Sequence, residues 1–149
     1  AHVQPNGAYH YHGIPELLVD FLGDSEGMTL VGWAADGFPV YARYGFSDPN
    51  DSSTKTIALK PSYRLKSQPD PNRPMVLTRL SGGPGQGTAP NTPISMGAFT
   101  QDYEYVDGLG DLDQCNGRFG VTPEFPNGIY YYVVSDDFPF FTRCLKGNV

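Results

Sequence analysis

Apolar positions along this chain come in short runs, often alternating with polar ones, and Gly, Pro, Asp or Asn interrupts them every few residues. That pattern predicts a mainly β, antiparallel, strand-rich domain in which helix is a minor component. The helical segment is 15–22: Pro15 suits a first helical position, Glu16 complements the positive end of the helix dipole, and Gly23 supplies a stop. Residues 28–35 and 38–43 read as two strands around Asp36-Gly37, a two-residue connection of the type I′ kind, whose central positions both need positive φ. Pro39 has no N–H to give to a ladder, which places the second strand at an edge or a bulge. Residues 102–106 alternate polar and apolar like a half-buried strand and lead into an acidic, glycine-containing turn at 107–116. Polar 47–53 and Pro/Gly-rich 67–93 read as surface loops. The glycine cluster at 82–87 lacks the Lys-Ser/Thr of a phosphate cradle and reads as flexible loop.

A faint internal repeat organises the chain further. Pro5-Asn6-Gly7-Ala8-Tyr9-His10-Tyr11-His12 aligns without gaps to Pro126-Asn127-Gly128-Ile129-Tyr130-Tyr131-Tyr132-Val133, matching Pro, Asn, Gly and both alternate tyrosines. Each copy reads as a Pro-Asn-Gly turn feeding a strand, with the tyrosines on one face and the intervening residues on the other. The second copy carries Tyr131 and Val133 where the first has His10 and His12, so candidate chemistry lies in the first.

Length and composition narrow the classes. A chain of 149 residues fits one domain able to bury roughly 70% of its unfolded surface. With 18 Gly, 14 Pro and 13% aromatic residues it is loop-rich but too aromatic for disorder. A net charge of -6 excludes the broad basic face of a nucleic-acid binder. No apolar stretch approaches the ~20 residues of a membrane span, the longest being 17–19 and 129–134. The chain opens at Ala1 with neither Met nor a basic-plus-apolar leader, which fits a removed export signal or a trimmed chain. The two cysteines, Cys115 and Cys144, sit in turn-rich surroundings and suit one disulfide in an oxidising compartment, secreted, periplasmic or cell-surface. Closing a loop over the 28 residues between them contributes ~3 kcal/mol in the chain-entropy picture.

All three histidines, His2, His10 and His12, fall at the start of the chain. In an extended strand, residues two apart share a face about 6.6 Å apart, so His10 and His12 can direct two imidazoles at one point. The Pro5-Asn6-Gly7 turn can fold His2 back as a third nitrogen. Such a set suits Zn(II), Cu(II) or Fe(II), with copper bound most tightly. The bland alternative is imidazoles merely hydrogen-bonded at a sheet surface. Asp36 can complete a His/carboxylate set, although Asp in a turn is already explained by turn chemistry. Asp107, Asp111 and Asp113, with Asn116, resemble a Ca²⁺ loop in composition but lack the EF-hand spacing and its bidentate Glu, and a solvated acidic turn accounts for them better.

Signals for other catalysis are weaker. No Gly-x-Ser-x-Gly elbow is present, a Ser/His/Asp triad has no anchoring spacing, and the expected disulfide removes a cysteine nucleophile. Asp111, Asp113 and Glu124 offer carboxylates for glycoside hydrolysis without a spacing that singles out an acid and a base.

The tetrad Tyr9-His10-Tyr11-His12, with His2 and Gly7, resembles the YHYH family, which is named after it. The resemblance extends through Gly32 to Tyr41, through Ser62-Tyr63-Arg64-Leu65, and through Asp102-Tyr103-Glu104-Tyr105. It continues from Gly108 to Arg118 and at Thr122-Pro123-Glu124, so it spans most of the chain as a single YHYH-type domain. It implies an exported protein and no particular reaction. One departure stands in the second repeat, where the family pattern leads to Tyr-His-Tyr and this chain has Tyr130-Tyr131-Tyr132.

The residues together lead to three expectations. The first is an exported β-rich protein holding Cu or Zn through His10 and His12 with His2. The second is a metal-dependent oxidase or hydrolase at the same site, with Asp36, Asp111 or Asp113 as base. The third is an interaction module in which exposed tyrosines and Gly/Pro loops meet carbohydrate, mineral or another protein and the histidines are structural.

Overall fold

A computed structural model describes residues 2–11, 13–22, 26–74, 76–77 and 92–149. In chain order the elements are β1 (His2–Val3), β2 (Tyr9–His10), α1 (Glu16–Leu22), β3 (Thr29–Trp33), β4 (Pro39–Ala42), β5 (Tyr44–Phe46) and β6 (Thr56–Ala58). There follow β7 (Tyr63–Leu65), β8 (Val76–Leu77), β9 (Thr92–Pro93), a 3₁₀ turn (Thr100–Asp102), β10 (Tyr103–Tyr105), β11 (Gly117–Gly120) and β12 (Ile129–Val134). The protein is thus mainly β with one short helix and several small antiparallel sheets, as the punctuation of the chain implies. The glycine cluster at 82–87 lies outside the described residues.

The chain divides into two compact units, residues 1–63 with 105–149, and residues 64–104. The larger unit is built on a four-stranded sheet of order β11-β12-β4-β3. Its outer pairings are antiparallel, and β12 runs parallel to β4 with Tyr132 opposite Val40 and Val134 opposite Ala42. Both faces of the sheet are covered. Tyr41, Tyr131 and Val133 pack with Met28, Leu59 and Leu112 on one side, while Val40, Tyr132 and Val134 pack with Cys115 and Phe38 on the other. A strand buried on both faces needs a continuous apolar and aromatic run, which is what Ile129–Val134 supplies.

Two local expectations are corrected. Asp36-Gly37 is not a two-residue type I′ connection. Gly37 N–H donates to the Ala34 carbonyl at 2.9 Å and Ala34 N–H to the Phe38 carbonyl at 2.9 Å, closing a three-residue loop in which only Gly37 has positive φ, at 83°. This type I turn with a glycine bulge needs one left-handed residue instead of two, and Asp36 keeps an ordinary conformation. Nor does Pro39 place β4 at an edge, because β4 lies between β12 and β3. Pro39 is the first residue of the strand, and the pairing with β12 begins only at Val40, so no ladder bond is lost. The bulge of this hairpin lies in β3, between Leu30 and Gly32.

Cys115 and Cys144 form the expected disulfide, across a sequence separation of 29. It ties the C-terminal segment to the buried edge of the second core, and Thr142 Oγ donates to the Cys144 or Cys115 carbonyl at 2.7 and 3.0 Å. Replacing Cys115 with Ser should lower unfolding stability by about 3–4 kcal/mol. The shift in urea midpoint against the oxidised parent checks this.

The smaller unit holds a buried ion pair that the sequence reading did not single out. Arg73 and Asp102 have fully covered side chains, with Nε to Oδ1 at 2.5 Å and a second guanidinium nitrogen to Oδ2 at 3.0 Å. Asp102 also accepts the N–H groups of Gly97 and Phe99, and Arg73 donates to the Pro74, Ile94 and Ser95 carbonyls. The Arg73 guanidinium, helped by those N–H groups, holds the Asp102 carboxyl at about 2. A carboxyl depressed in the folded state stabilises fully above its ordinary value of 3.8, and that contribution drains away as the pH falls toward about 2. Protection of the 97–102 amides, relative to their intrinsic exchange rates, should fall across that window, and Asp102→Asn should abolish that pH dependence of protection.

Candidate functional site

The histidine hairpin is built by its turn. Gly7 N–H donates to the Gln4 carbonyl at 2.8 Å, Gln4 N–H donates to the Ala8 carbonyl at 2.8 Å, and Asn6 Oδ1 accepts Ala8 N–H at 3.1 Å. Pro5 pre-sets the first turn position and Gly7 takes the left-handed one, with φ of 86°. The result fixes the register: His2 faces His10 and Val3 faces Tyr9. The two imidazoles meet edge to face with ring centroids 4.3 Å apart. Gln4 Nε2 lies 3.3 Å from His10 Nε2. An amide nitrogen only donates, so this contact uses the neutral ring with Nε2 as acceptor. His2 is exposed and His10 half-buried. The turn therefore folds His2 back onto His10, as the spacing implies. His12 lies outside the described residues.

The acidic candidates have occupations of their own. Asp36 Oδ2 accepts the Tyr132 hydroxyl at 2.5 Å, Lys146 N–H at 3.1 Å and Gly147 N–H at 3.0 Å. Burial works to raise its carboxyl, and the hydrogen bonds from Tyr132 and Gly147 outweigh that and hold it below its ordinary value. Asp113 accepts Cys115 and Gly117 N–H groups and the Tyr130 hydroxyl, and pairs with Lys146 at 3.0 Å. Asp111 accepts Lys60 N–H at 2.8 Å and Asp107 accepts the Tyr105 hydroxyl at 2.8 Å. Among the described residues, no group of three or more His, Cys, Asp or Glu stands close enough to hold a metal ion.

Asp107, Asp111 and Asp113 do come together, as part of the wall of an open cleft of about 630 Å³. Tyr105, Phe119 and Tyr130 supply its aromatic surface, and Arg118 and Lys146 its cations. Sequence reasoning singled out the carboxylates and missed the rest of the wall. Only the alternation at 102–106 hinted at Tyr105, while Phe119 from β11, Tyr130 from β12 and Lys146 near the C-terminus are joined by tertiary structure alone.

The two repeat copies keep their turn and tyrosine pairing but put them to different use. Gly128 has φ of 85° and closes the second turn onto the Phe125 carbonyl, like Gly7 in the first. Tyr9 and Tyr11 meet edge to face at 5.5 Å, and Tyr130 and Tyr132 do so at 5.2 Å. Tyr9 and Tyr11 are exposed, whereas Tyr132 is fully buried. At the position matching His10, Tyr131 fills a core slot, its hydroxyl accepting Arg118 Nε at 2.6 Å.

The fold is that of a β-rich, disulfide-closed protein. A sequence model of the family described as YHYH protein matches residues 1–147, and the chain belongs to that family. Comparison with curated proteins and with solved structures gave no match. The disulfide fits a non-cytoplasmic compartment. Among the described residues no helix is long and apolar enough to cross a membrane.

Gly117 forms the floor under Tyr130. A Cβ there would fall 2.5 Å from the Tyr131 carbonyl and against the Tyr130 hydroxyl. Gly117→Ala should therefore cost about 1–3 kcal/mol and push Tyr130 from Asp113. Urea unfolding and the Tyr130 ring resonances report the two effects.

Proposed function

We propose that this is an exported protein, placed in the periplasm, at the cell surface or outside the cell, that binds a transition-metal ion, Cu(II) or Zn(II), at the histidine hairpin. The observation that carries the reading is the cross-strand pair of His2 and His10, with ring centroids 4.3 Å apart on a turn-locked hairpin. Two imidazoles so close can present nitrogens to one ion with little rearrangement, and neutral imidazole nitrogen suits copper and zinc. An ion taken at His10 Nε2 displaces the Gln4 amide. His12, two residues beyond His10, is the third ligand of this proposal. Asp36, Asp111 and Asp113 are not needed for it, since each is already engaged with its own donors.

Isothermal titration of Cu(II) and of Zn(II) into metal-free protein, acetylated at its N-terminus so that the α-amine cannot bind, tests the reading. One ion per chain is expected, with affinity reduced more than about tenfold by His2→Ala or His10→Ala. Isotherms that are the same for parent and variants would overturn it. Both side chains lie at the surface of a two-residue-stranded hairpin, so the variants are expected to keep the parent's unfolding midpoint.

A further inference from the structure

We infer that the cleft lined by Tyr105 and by residues of β11 and β12 is a binding site for a neutral saccharide, separate from the histidine hairpin. Its volume of about 630 Å³ lies within the roughly 300–1,000 Å³ range of small-molecule sites. The wall combines the rings of Tyr105, Phe119 and Tyr130 with charged groups of both signs.

The disposition of those charges selects the ligand class. Lys146 and Asp113 neutralise each other at 3.0 Å, and the Lys146 ammonium also stands 5.8 Å over the Tyr130 ring. The remaining charges are met by neutral partners. Asp107 takes the Tyr105 hydroxyl, Asp111 takes the Lys60 backbone N–H, and Arg118 donates to the Tyr131 hydroxyl and the Phe46 carbonyl. An anionic ligand would meet the carboxylates of Asp107 and Asp111, and a cationic one would meet Arg118 and Lys146. A hydroxyl avoids both penalties, because it donates to a carboxylate and accepts from a guanidinium or ammonium.

The aromatic surface supports the same class. Phe119 is 62% exposed, an apolar ring left uncovered in the wall of the cleft. The C–H face of a pyranose can cover such a ring while its equatorial hydroxyls reach the surrounding charges. A ligand with one apolar face and a polar rim is what this wall matches. The cleft floor is also held in place. Gly110 leaves no room for a Cβ against the Lys60 and Pro61 carbonyls, and its N–H donates to Ser62 Oγ at 3.1 Å. A preformed wall spares the ligand the cost of ordering it.

Saturation-transfer NMR on the whole chain, in the presence of EDTA, tests this. The probes are neutral di- and trisaccharides of glucose, xylose, mannose and N-acetylglucosamine, with tetramethylammonium and methyl phosphate as charged counterparts. At least one saccharide should show transfer concentrated on its ring C–H protons. Phe119→Ala should weaken that binding roughly tenfold, and Asp107→Ala several-fold. Both replaced side chains are exposed, so both variants should keep the parent's unfolding midpoint. His10→Ala should leave saccharide binding unchanged, so this result stands or falls apart from metal binding. The proposal is overturned if no saccharide shows transfer, if both cleft variants bind as the parent does, or if a charged probe binds more tightly than every saccharide.

Discussion

The structure depends on satisfying the hydroxyls of the tyrosines that β12 carries into the protein. Tyr131 and Tyr132 are fully buried and Tyr130 half-buried, and a buried hydroxyl left without a partner costs about 1–3 kcal/mol. Each is met by a charged side chain outside β12: Asp113 for Tyr130, Arg118 on the neighbouring strand for Tyr131, and the distant Asp36 for Tyr132. Tyr41, adjacent on β4, repeats the solution with Glu124 at 2.6 Å. Burial together with the neighbouring carboxylates raises the hydroxyl pKa of Tyr41, Tyr130 and Tyr132, so these tyrosines stay protonated donors.

This constraint explains why carboxylates that look like metal ligands in one dimension do other work in three. Asp36 joins the β3–β4 hairpin to the C-terminal segment through Tyr132, Lys146 and Gly147. Asp113 joins the acidic turn to β12 and to Lys146. The disulfide from Cys115 to Cys144 reinforces the same connection covalently. Three devices of different chemistry thus hold the C-terminal segment against the central sheet, and they position Lys146 in the wall of the cleft.

The internal repeat shows one local design used twice. In both copies Pro-Asn-Gly makes a turn closed by the glycine N–H onto the carbonyl three residues back, and the alternate tyrosines pair edge to face in both. In the second copy the strand enters the centre of a four-stranded sheet, and the residues between its tyrosines are core. In the first, the strand is short and superficial, and the corresponding position carries a half-buried His10 facing His2. The family's name-giving motif therefore sits on the copy relieved of packing duty.

Much of the architecture was legible in the residues alone. Short alternating runs, turn residues at close intervals and a pair of cysteines determined a β-rich, loop-dense, disulfide-linked protein, because each is a local consequence of backbone sterics and side-chain chemistry. The His2–His10 meeting was also legible, since a Pro-Asn-Gly turn leaves little choice of register. What only tertiary structure decided was partnership over long separations. The parallel pairing of β12 with β4 makes Pro39 the start of an interior strand instead of an edge. Residues 73 and 102 become a buried ion pair, and Tyr105, Phe119, Tyr130 and Lys146 become one wall. No local propensity encodes such meetings, because they follow from where the strands pack and from the requirement that every buried polar group find a partner.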